Sequence, residues 1–255
     1  MYATRAVSEG AALVVLWDVD RTALRAATES LKLRAGQGTQ VVSDVVDLTD
    51  RVAIERAAAR VIAKHGGIDV LMNNAGIVHG ALFWDHENER HTERTMRINA
   101  LAPMFATHEF LPGMMSSPSP SRIVNIASAA GMLSNPKMSV YASSKWALIG
   151  WSDSVRLELK REGYTQVAVT TVAPSYIATG MFEGVRGPLM TPIMQPEYAV
   201  NRVWRAMIAG TPFVMMPWSV HLSKVLKGLL PQRAFDWIAD RVFHVYSSMD
   251  HFTGR

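Results

Sequence analysis

The sequence predicts an α/β fold: three layers, with helices covering both faces of a doubly wound parallel sheet. Three observations carry this reading. Six short β-branched runs alternate with longer segments of helical spacing. The chain has 255 residues, 49% of them hydrophobic, which suffices for a sizeable core and argues against disorder. No long Gly/Ser/Pro linker breaks the alternation, so residues 1–255 read as a single domain. Strand–helix alternation implies a parallel sheet packed on both faces, and right-handed crossovers wind it doubly.

The elements follow in chain order. Ala12–Trp17 is the first strand. Arg21–Arg34 is a helix, with apolar positions at Ala23, Leu24, Ala27, Leu31 and Leu33. Gln40–Val46 is the next strand. The helix Asp50–Lys64 carries Val52, Ile54, Ala57, Ala58, Val61 and Ile62 on one face; Asp50 reads as its N-cap and Gly66 and Gly67 as its stop. Strand Val70–Met72 precedes a helix over Glu89–Leu111. Ser116–Ser121 is a short surface loop. Strand Arg122–Ile126, helix Val140–Glu162, strand Gln166–Val172, helix Glu197–Ala209 and strand Phe213–Met216 complete the alternation. From Thr211 the character changes, so 211–255 reads as an amphipathic extension of the same domain. Leu222, Val225, Leu226 and Leu229 share one face of His221–Leu230, opposite Lys224 and Lys227. Pro231 ends that segment, and Arg233–Tyr246 follows with Phe235, Trp237, Ile238, Val242 and Phe243. Two readings stay open: helices packed on the core or on another subunit, or a substrate-cleft cover or membrane-surface contact through 211–246.

Composition excludes several classes of chemistry. The chain has no cysteine, which rules out disulfides, thiolate zinc sites, Fe–S clusters and cysteine nucleophiles; no metal site is expected. With 26 Lys+Arg against 22 Asp+Glu, the net charge is +4. The basic residues are spread along the chain without a stripe interleaved with aromatics, so no nucleic-acid partner is expected. No apolar run approaches the ~18–20 residues of a membrane span. The opening MYATRAVSEG is too polar for a secretory signal, and a cytoplasmic protein, at most peripheral to a membrane, is expected.

The strongest chemical signal is Tyr141-Ala-Ser-Ser-Lys145 within a predicted helix. Residues four apart lie on one face, ~6 Å apart along the axis. A free tyrosine, with a pKa of ~10, is a poor acid–base catalyst at neutral pH. A nearby ammonium favours phenolate and brings it closer to working range. Ser128 follows strand Arg122–Ile126, at the strand end where doubly wound folds bind ligands. Its hydroxyl there would hold a substrate oxygen. Asn73-Asn74-Ala75-Gly76 follows another strand, as close approach to a cofactor requires. Asn99 lies in a predicted helix, Pro174 closes strand Gln166–Val172, and Thr179 follows it.

In these motifs the chain resembles the short-chain dehydrogenase/reductase family over nearly its whole length. The family's NNAG matches Asn73–Gly76, its helix asparagine Asn99, its serine Ser128, and its YxxxK Tyr141 and Lys145. The resemblance implies a Rossmann-like fold and an oxidoreductase working as a homodimer or homotetramer. It makes Tyr141 the general acid/base, helped by Lys145, which lowers its pKa and binds the nicotinamide ribose. Ser128 orients the substrate oxygen and Asn99 holds a water in a proton relay. Asn74, Ala75, Gly76, Pro174, Ile177 and Thr179 fall on cofactor-binding positions, and Ser175 stands where the family usually has glycine. Asp18, after Leu16-Trp17, matches the residue that meets the adenosine ribose. A carboxylate there accepts both ribose hydroxyls and repels a 2′-phosphate, and the next residue is Val19 rather than a base, so NAD is expected over NADP. Asp47 matches the residue that meets the adenine amino group. Either aspartate alone also reads as a helix N-cap or turn residue.

A narrower resemblance, to the branch of retinol and 17β-hydroxysteroid dehydrogenases, rests on Leu16–Asp18, Glu93–Met96, Thr179–Phe182 and the C-terminal region. It implies a small apolar alcohol or ketone as substrate. Tyr176, Met181, Phe182, Leu189, Met190, Ile193 and Met194 would line an apolar cleft, or form ordinary core. The chain departs from the family at its start. The first strand and its TGxxxGxG turn are missing, and Gly36-Gln-Gly38 precedes a strand instead of following one. Tyr2–Gly10 reads as the rest of the first helix, so the natural protein is expected to be longer. The alternative is a silent subunit, or a cropped product that cannot bind cofactor.

Overall fold

The computed structural model describes residues 1–254, which form two compact units, 1–67 and 68–254. The first unit contains α1 (Tyr2–Ser8), β1 (Leu13–Asp18), α2 (Arg21–Arg34), β2 (Gln40–Val45) and α3 (Arg51–His65). β1 and β2 pair in parallel from Leu13 opposite Gln40 to Asp18 opposite Val45. Both helix starts are capped by carboxylates. Asp20 accepts from the backbone N–H groups of Thr22 and Ala23, each at 2.9 Å, and Asp50 accepts from that of Val52 at 2.8 Å. Gly66 ends α3 in the left-handed region, at φ 79°. Val7, Val14, Leu31 and Val41 form the buried cluster that joins α1 and α2 to the strands.

The second unit holds β3 (Val70–Asn73), β4 (Ser121–Ile126), β5 (Val167–Pro174) and β6 (Phe213–Met216), parallel and in that spatial order. Its helices are α4 (Arg94–Met96), α5 (Ala102–Ser116), α6 (Ser139–Arg161), α7 (Pro196–Ile208), α8 (Trp218–Leu229) and α9 (Gln232–Arg241). β4 and β5 are buried on both faces, with Asn125, Thr170 and Thr171 buried among their apolar residues. Among the described residues β1 pairs with no strand but β2, and β3 with none but β4.

One predicted helix is broken up. The stretch over Glu89–Leu111 is α-helical in α4 and at the start of α5, but π-helical at Asn88–Glu93 and Arg97–Leu101. Pro103 explains part of this. It has no N–H to donate in the α pattern to the carbonyl four residues back, that of Asn99.

The strand ends are tied to helices by buried amides. The Asn73 amide donates to Asn125 Oδ1 (2.8 Å) and Thr107 Oγ1 (3.2 Å), and the Asn125 amide donates to Ser152 Oγ (2.8 Å). After β4, a 3₁₀ turn at Ala129–Gly131 packs directly on α6. A Cβ on Gly131 would lie 2.7 Å from the Lys145 carbonyl oxygen. By contrast a Cβ on Gly150, on the exposed side of α6, meets nothing within 4 Å. Gly131→Ala is therefore expected to destabilise the fold by ~1–3 kcal/mol. Gly150→Ala is expected to stabilise it by ~0.5–1 kcal/mol. Urea unfolding of the two variants checks the pair, and a stable Gly131→Ala protein refutes the close approach.

Candidate active site

The C-terminal ends of β3, β4 and β5 bring most of the candidate residues together. Ser128 lies two residues beyond β4 and caps the 3₁₀ turn, its hydroxyl accepting from the Ala130 N–H at 3.2 Å. Tyr141 and Lys145 sit one turn apart in the first half of α6, both buried. The Ser128 side chain stands near enough to the Tyr141 hydroxyl to hold its pKa down. The Lys145 ammonium donates to the Ile126 carbonyl at 2.9 Å and lies 5.8 Å from the Tyr141 ring centroid.

Asn99 closes the other side. It is fully buried, and its side chain accepts from the Ile77 N–H and donates to the Ile77 carbonyl, both at 2.8 Å. Its amide also donates to Ser144 Oγ at 3.0 Å. This clamp holds the chain that leaves Gly76. A Cβ on Gly76 would lie 3.3 Å from Asn99 Oδ1 and 3.4 Å from Lys145 Nζ, so glycine permits the close approach. Ser144 was legible as a neighbour, since it is three residues from Tyr141 and shares its face. Its link to Asn99 was not.

Burial governs the electrostatics. It pushes the Tyr141 hydroxyl up to about 12; Ser128 offsets part of this, and Tyr176 adds a further upward push. It pushes the Lys145 ammonium down to about 8. The family resemblance gives Lys145 the task of lowering the Tyr141 pKa; in this structure the loss of water around both groups outweighs that attraction.

The remaining candidates are placed less tightly. Asn74 and Ala75 are exposed just beyond β3. Pro174 ends β5 and is buried, Ile177 bridges to Met194, and Thr179 is exposed. Asp18 and Asp47 belong to the first unit, and both are exposed. Asp18 accepts from the Asp20 N–H at 3.0 Å, and Asp47 accepts from the N–H and hydroxyl of Thr49, each at 2.8 Å. Both therefore act as turn residues. The caps of α2 and α3 are Asp20 and Asp50.

The pocket against Ser128 is apolar and small, about 80 Å³. Tyr176, Phe182, Val220 and Val245 contribute to its wall. Val220 belongs to α8, so part of the region after Thr211 covers this cleft. Tyr176 and Phe182 rings meet edge-on at 5.2 Å, and Phe182 meets Tyr141 at 6.0 Å. Two residues that hold this wall had no signal in the sequence: Asn135, which lines the pocket, and Ser248 behind it, which share hydrogen bonds with the Tyr176 hydroxyl.

A family model described as short chain dehydrogenase matches residues 1–188. The chain belongs to the short-chain dehydrogenase family. Its relatives are oxidoreductases. Epidermal retinol dehydrogenase 2 of Mus musculus is 33% identical over 248 residues, covering 96% of this chain and 78% of the relative. Estradiol 17-beta-dehydrogenase 11 of Homo sapiens is 32% identical over 220 residues, covering 86% of this chain and 71% of the relative. Among solved structures, a metagenomic short-chain oxidoreductase in complex with NADP is similar at a TM-score of 0.61 and 33% identity, covering 68% of this chain and 75% of that one. These matches bear out the family and the Rossmann-like α/β class read from the motifs.

The buried lysine makes a thermodynamic prediction. With its folded pKa near 8, below the usual value of 10.5, the native state holds fewer protons on Lys145 than the unfolded chain between those limits. Stability through this group therefore rises with pH across that window. Tyr141 opposes it only above pH 10, where its raised pKa keeps a proton the unfolded chain has lost. From pH 7 to 10 the parent protein should gain on the order of 2 kcal/mol relative to Lys145→Met. Denaturant unfolding of both proteins at pH 7, 8.5 and 10 measures this. Parallel curves would show that Lys145 is not desolvated.

Proposed function

We propose that the chain transfers a hydride between NAD and the carbinol or carbonyl carbon of an apolar alcohol or ketone. The observation that carries the reading is the buried Tyr141 beside Ser128, which lines an apolar pocket, with a buried ammonium one helical turn away. A silent subunit has no use for Lys145 in that place. An apolar residue of similar length would bury there without loss of hydration, so a buried ammonium held on the Ile126 carbonyl supports a working site.

The residues fit a nicotinamide cofactor. Asn74, Ala75, Gly76, Ile177 and Thr179 follow strand C-terminal ends, where α/β sheets bind such groups, and the Lys145 side chain reaches the end of β4 from α6. Gly76 approaches closely: a Cβ there would press on Asn99 Oδ1 and touch Lys145 Nζ. The bound nicotinamide supplies or accepts the hydride. In this reading Lys145 binds the nicotinamide ribose, and Pro174 sets the turn that presents Ile177 and Thr179. Ser128 donates a hydrogen bond to the substrate oxygen and holds it against Tyr141. Tyr141 Oη takes the proton from an alcohol, or gives one to a carbonyl. Asn99 anchors the loop after Gly76 and offers its backbone carbonyl to a relay water. The pocket wall of Tyr176, Phe182 and Val220 excludes water and favours an apolar substrate.

NAD in preference to NADP rests on Asp18, whose exposed carboxylate would repel a 2′-phosphate, with Asp47 as an adenine contact. The similar metagenomic enzyme was captured with NADP, so the choice needs a direct test. The proposal extends to a homodimer or homotetramer in the cytoplasm, in contact with a membrane surface through 211–246. Exposed Trp218, Leu222, Val225 and Leu229 along one side of α8 support that contact.

Tyr141→Phe should lower kcat by roughly 10²–10⁴-fold while changing NAD affinity little, because only the acid/base hydroxyl is removed. Steady-state kinetics on an apolar secondary alcohol, with calorimetric NAD titration, checks both parts. Near-normal turnover would overturn the assignment. Asp18→Ser combined with Val19→Arg should move the kcat/KM ratio towards NADP by ~10-fold or more, by removing a repulsion and adding a phosphate partner. A parent enzyme that already favours NADP would refute the charge argument.

A further inference from the structure

We propose that residues 244–254 form a strap latched over the catalytic tyrosine, and that the Asn135–Tyr176–Ser248 hydrogen bonds are the latch that admits or excludes large substrates. The inference rests on the apolar-alcohol reading above.

The strap is irregular but specifically held. Its backbone pairs with the loop that follows β5: the Arg186 N–H donates to the Ser248 carbonyl (3.1 Å), and the Thr253 N–H donates to the Glu183 carbonyl (2.9 Å). Its side chains reach inward. Met249 is 1% exposed and packs in the same buried cluster as Tyr141 and Tyr176, with Phe252 against it. Glycines make room for this path. A Cβ on Gly80 would run into the Phe252 ring, and one on Gly184 into the His251 carbonyl. Outside, Lys137 and Asp250 form an ion pair at 3.1 Å, which water screens and which adds little.

The latch itself is polar and sits in an apolar wall. Ser248 Oγ lies 2.9 Å from the Tyr176 hydroxyl. The Asn135 amide donates to both, at 2.9 Å to Ser248 and 3.3 Å to Tyr176. Asn135 Oδ1 is buried and has no partner among the described residues. Such a group favours any rearrangement that gives it a donor.

Position gives this cluster its meaning. Asn135 lines two cavities: the pocket of about 80 Å³ that contains Ser128, and an outer cleft of about 780 Å³ bordered by Trp146, Asp236 and Tyr246. A bulky apolar ligand needs roughly 300–1,000 Å³. The inner pocket is several-fold too small for one, and the outer cleft is large enough. A large alcohol therefore reaches Tyr141 only when the strap swings out and the two spaces merge through Asn135. A small alcohol fits without that movement.

The chain has no cysteine, so a cysteine pair can lock the strap cleanly. Lys137→Cys with Asp250→Cys is bridged by a short bis-maleimide that a reductant cleaves, and retinol binding is read from its own fluorescence. That readout needs neither cofactor nor turnover. The bridged protein should bind retinol at least tenfold more weakly than the same protein after cleavage. In the unbridged chain, Ser248→Ala combined with Phe252→Ala should bind retinol at least tenfold more tightly than the parent. Equal affinity before and after cleavage, or no retinol binding in either state, overturns the strap. If the Ser248/Phe252 variant fails to fold, the bridge decides alone, since one molecule is compared with itself. Turnover of cyclohexanol and retinol is followed in parallel. Retinol that binds on cleavage but is not oxidised counts against the proposed function and leaves the strap standing.

Discussion

An ammonium group 3% exposed is the constraint around which the second unit is arranged. Lys145 comes from α6, donates to the backbone of Ile126 at the end of β4, and stands against the glycine that follows β3. Each of these contacts demands something of its neighbours. The β4 carbonyl must be free of the ladder, which it is because the chain leaves the sheet there for Ala127 and Ser128. The 3₁₀ turn must approach α6 closely, which Gly131 permits. The β3 exit is tight at Gly76, where a Cβ would press on Asn99 Oδ1. Desolvating a lysine is costly, and the fold accepts that cost only where strands, turn and helix converge on one point.

Tyr141 shares that burial but is displaced the other way. The hydroxyl keeps its proton more tightly than a tyrosine in water, and the ammonium holds its own less tightly. The two groups are thereby brought to a state in which nearby charge matters greatly, because little water remains to screen it. Ser128 is the neighbouring side chain that holds the tyrosine's proton affinity down. Asn99 plays a different part. Its side chain is spent on the backbone of Ile77 and on Ser144, and Pro103 denies its carbonyl the α-helical donor. The π-helical turn at Arg97–Leu101 is thus the local form taken by a helix that must present an asparagine inward.

Much of this was legible in the sequence. Secondary structure follows local patterns, and those patterns are strong here: short apolar runs for the six strands, a carboxylate and a glycine at the two ends of α3, and four-residue spacing for Tyr141 and Lys145. The motifs are contiguous or short-range, so the family resemblance could be read residue by residue. What local pattern could not show was the distortion of the helix over Glu89–Leu111, where a proline and a buried amide override the 3.6-residue period. Nor could it separate Asp18 from Asp20 as the cap of α2, since either spacing suits a turn.

The sequence by itself determined the elements, their parallel pairing, and which tyrosine, lysine, serine and asparagine are the candidates for the site, because each depends on residues near one another in the chain. Tertiary structure alone decided how deeply those groups are buried, which way their proton affinities move, and what covers them. Asn135 and Ser248 are separated by more than a hundred residues and belong to no motif. They meet because β5, its following loop and the segment after α9 fold back over α6, and a hydrogen bond between distant loops leaves no periodic trace in the chain that forms it.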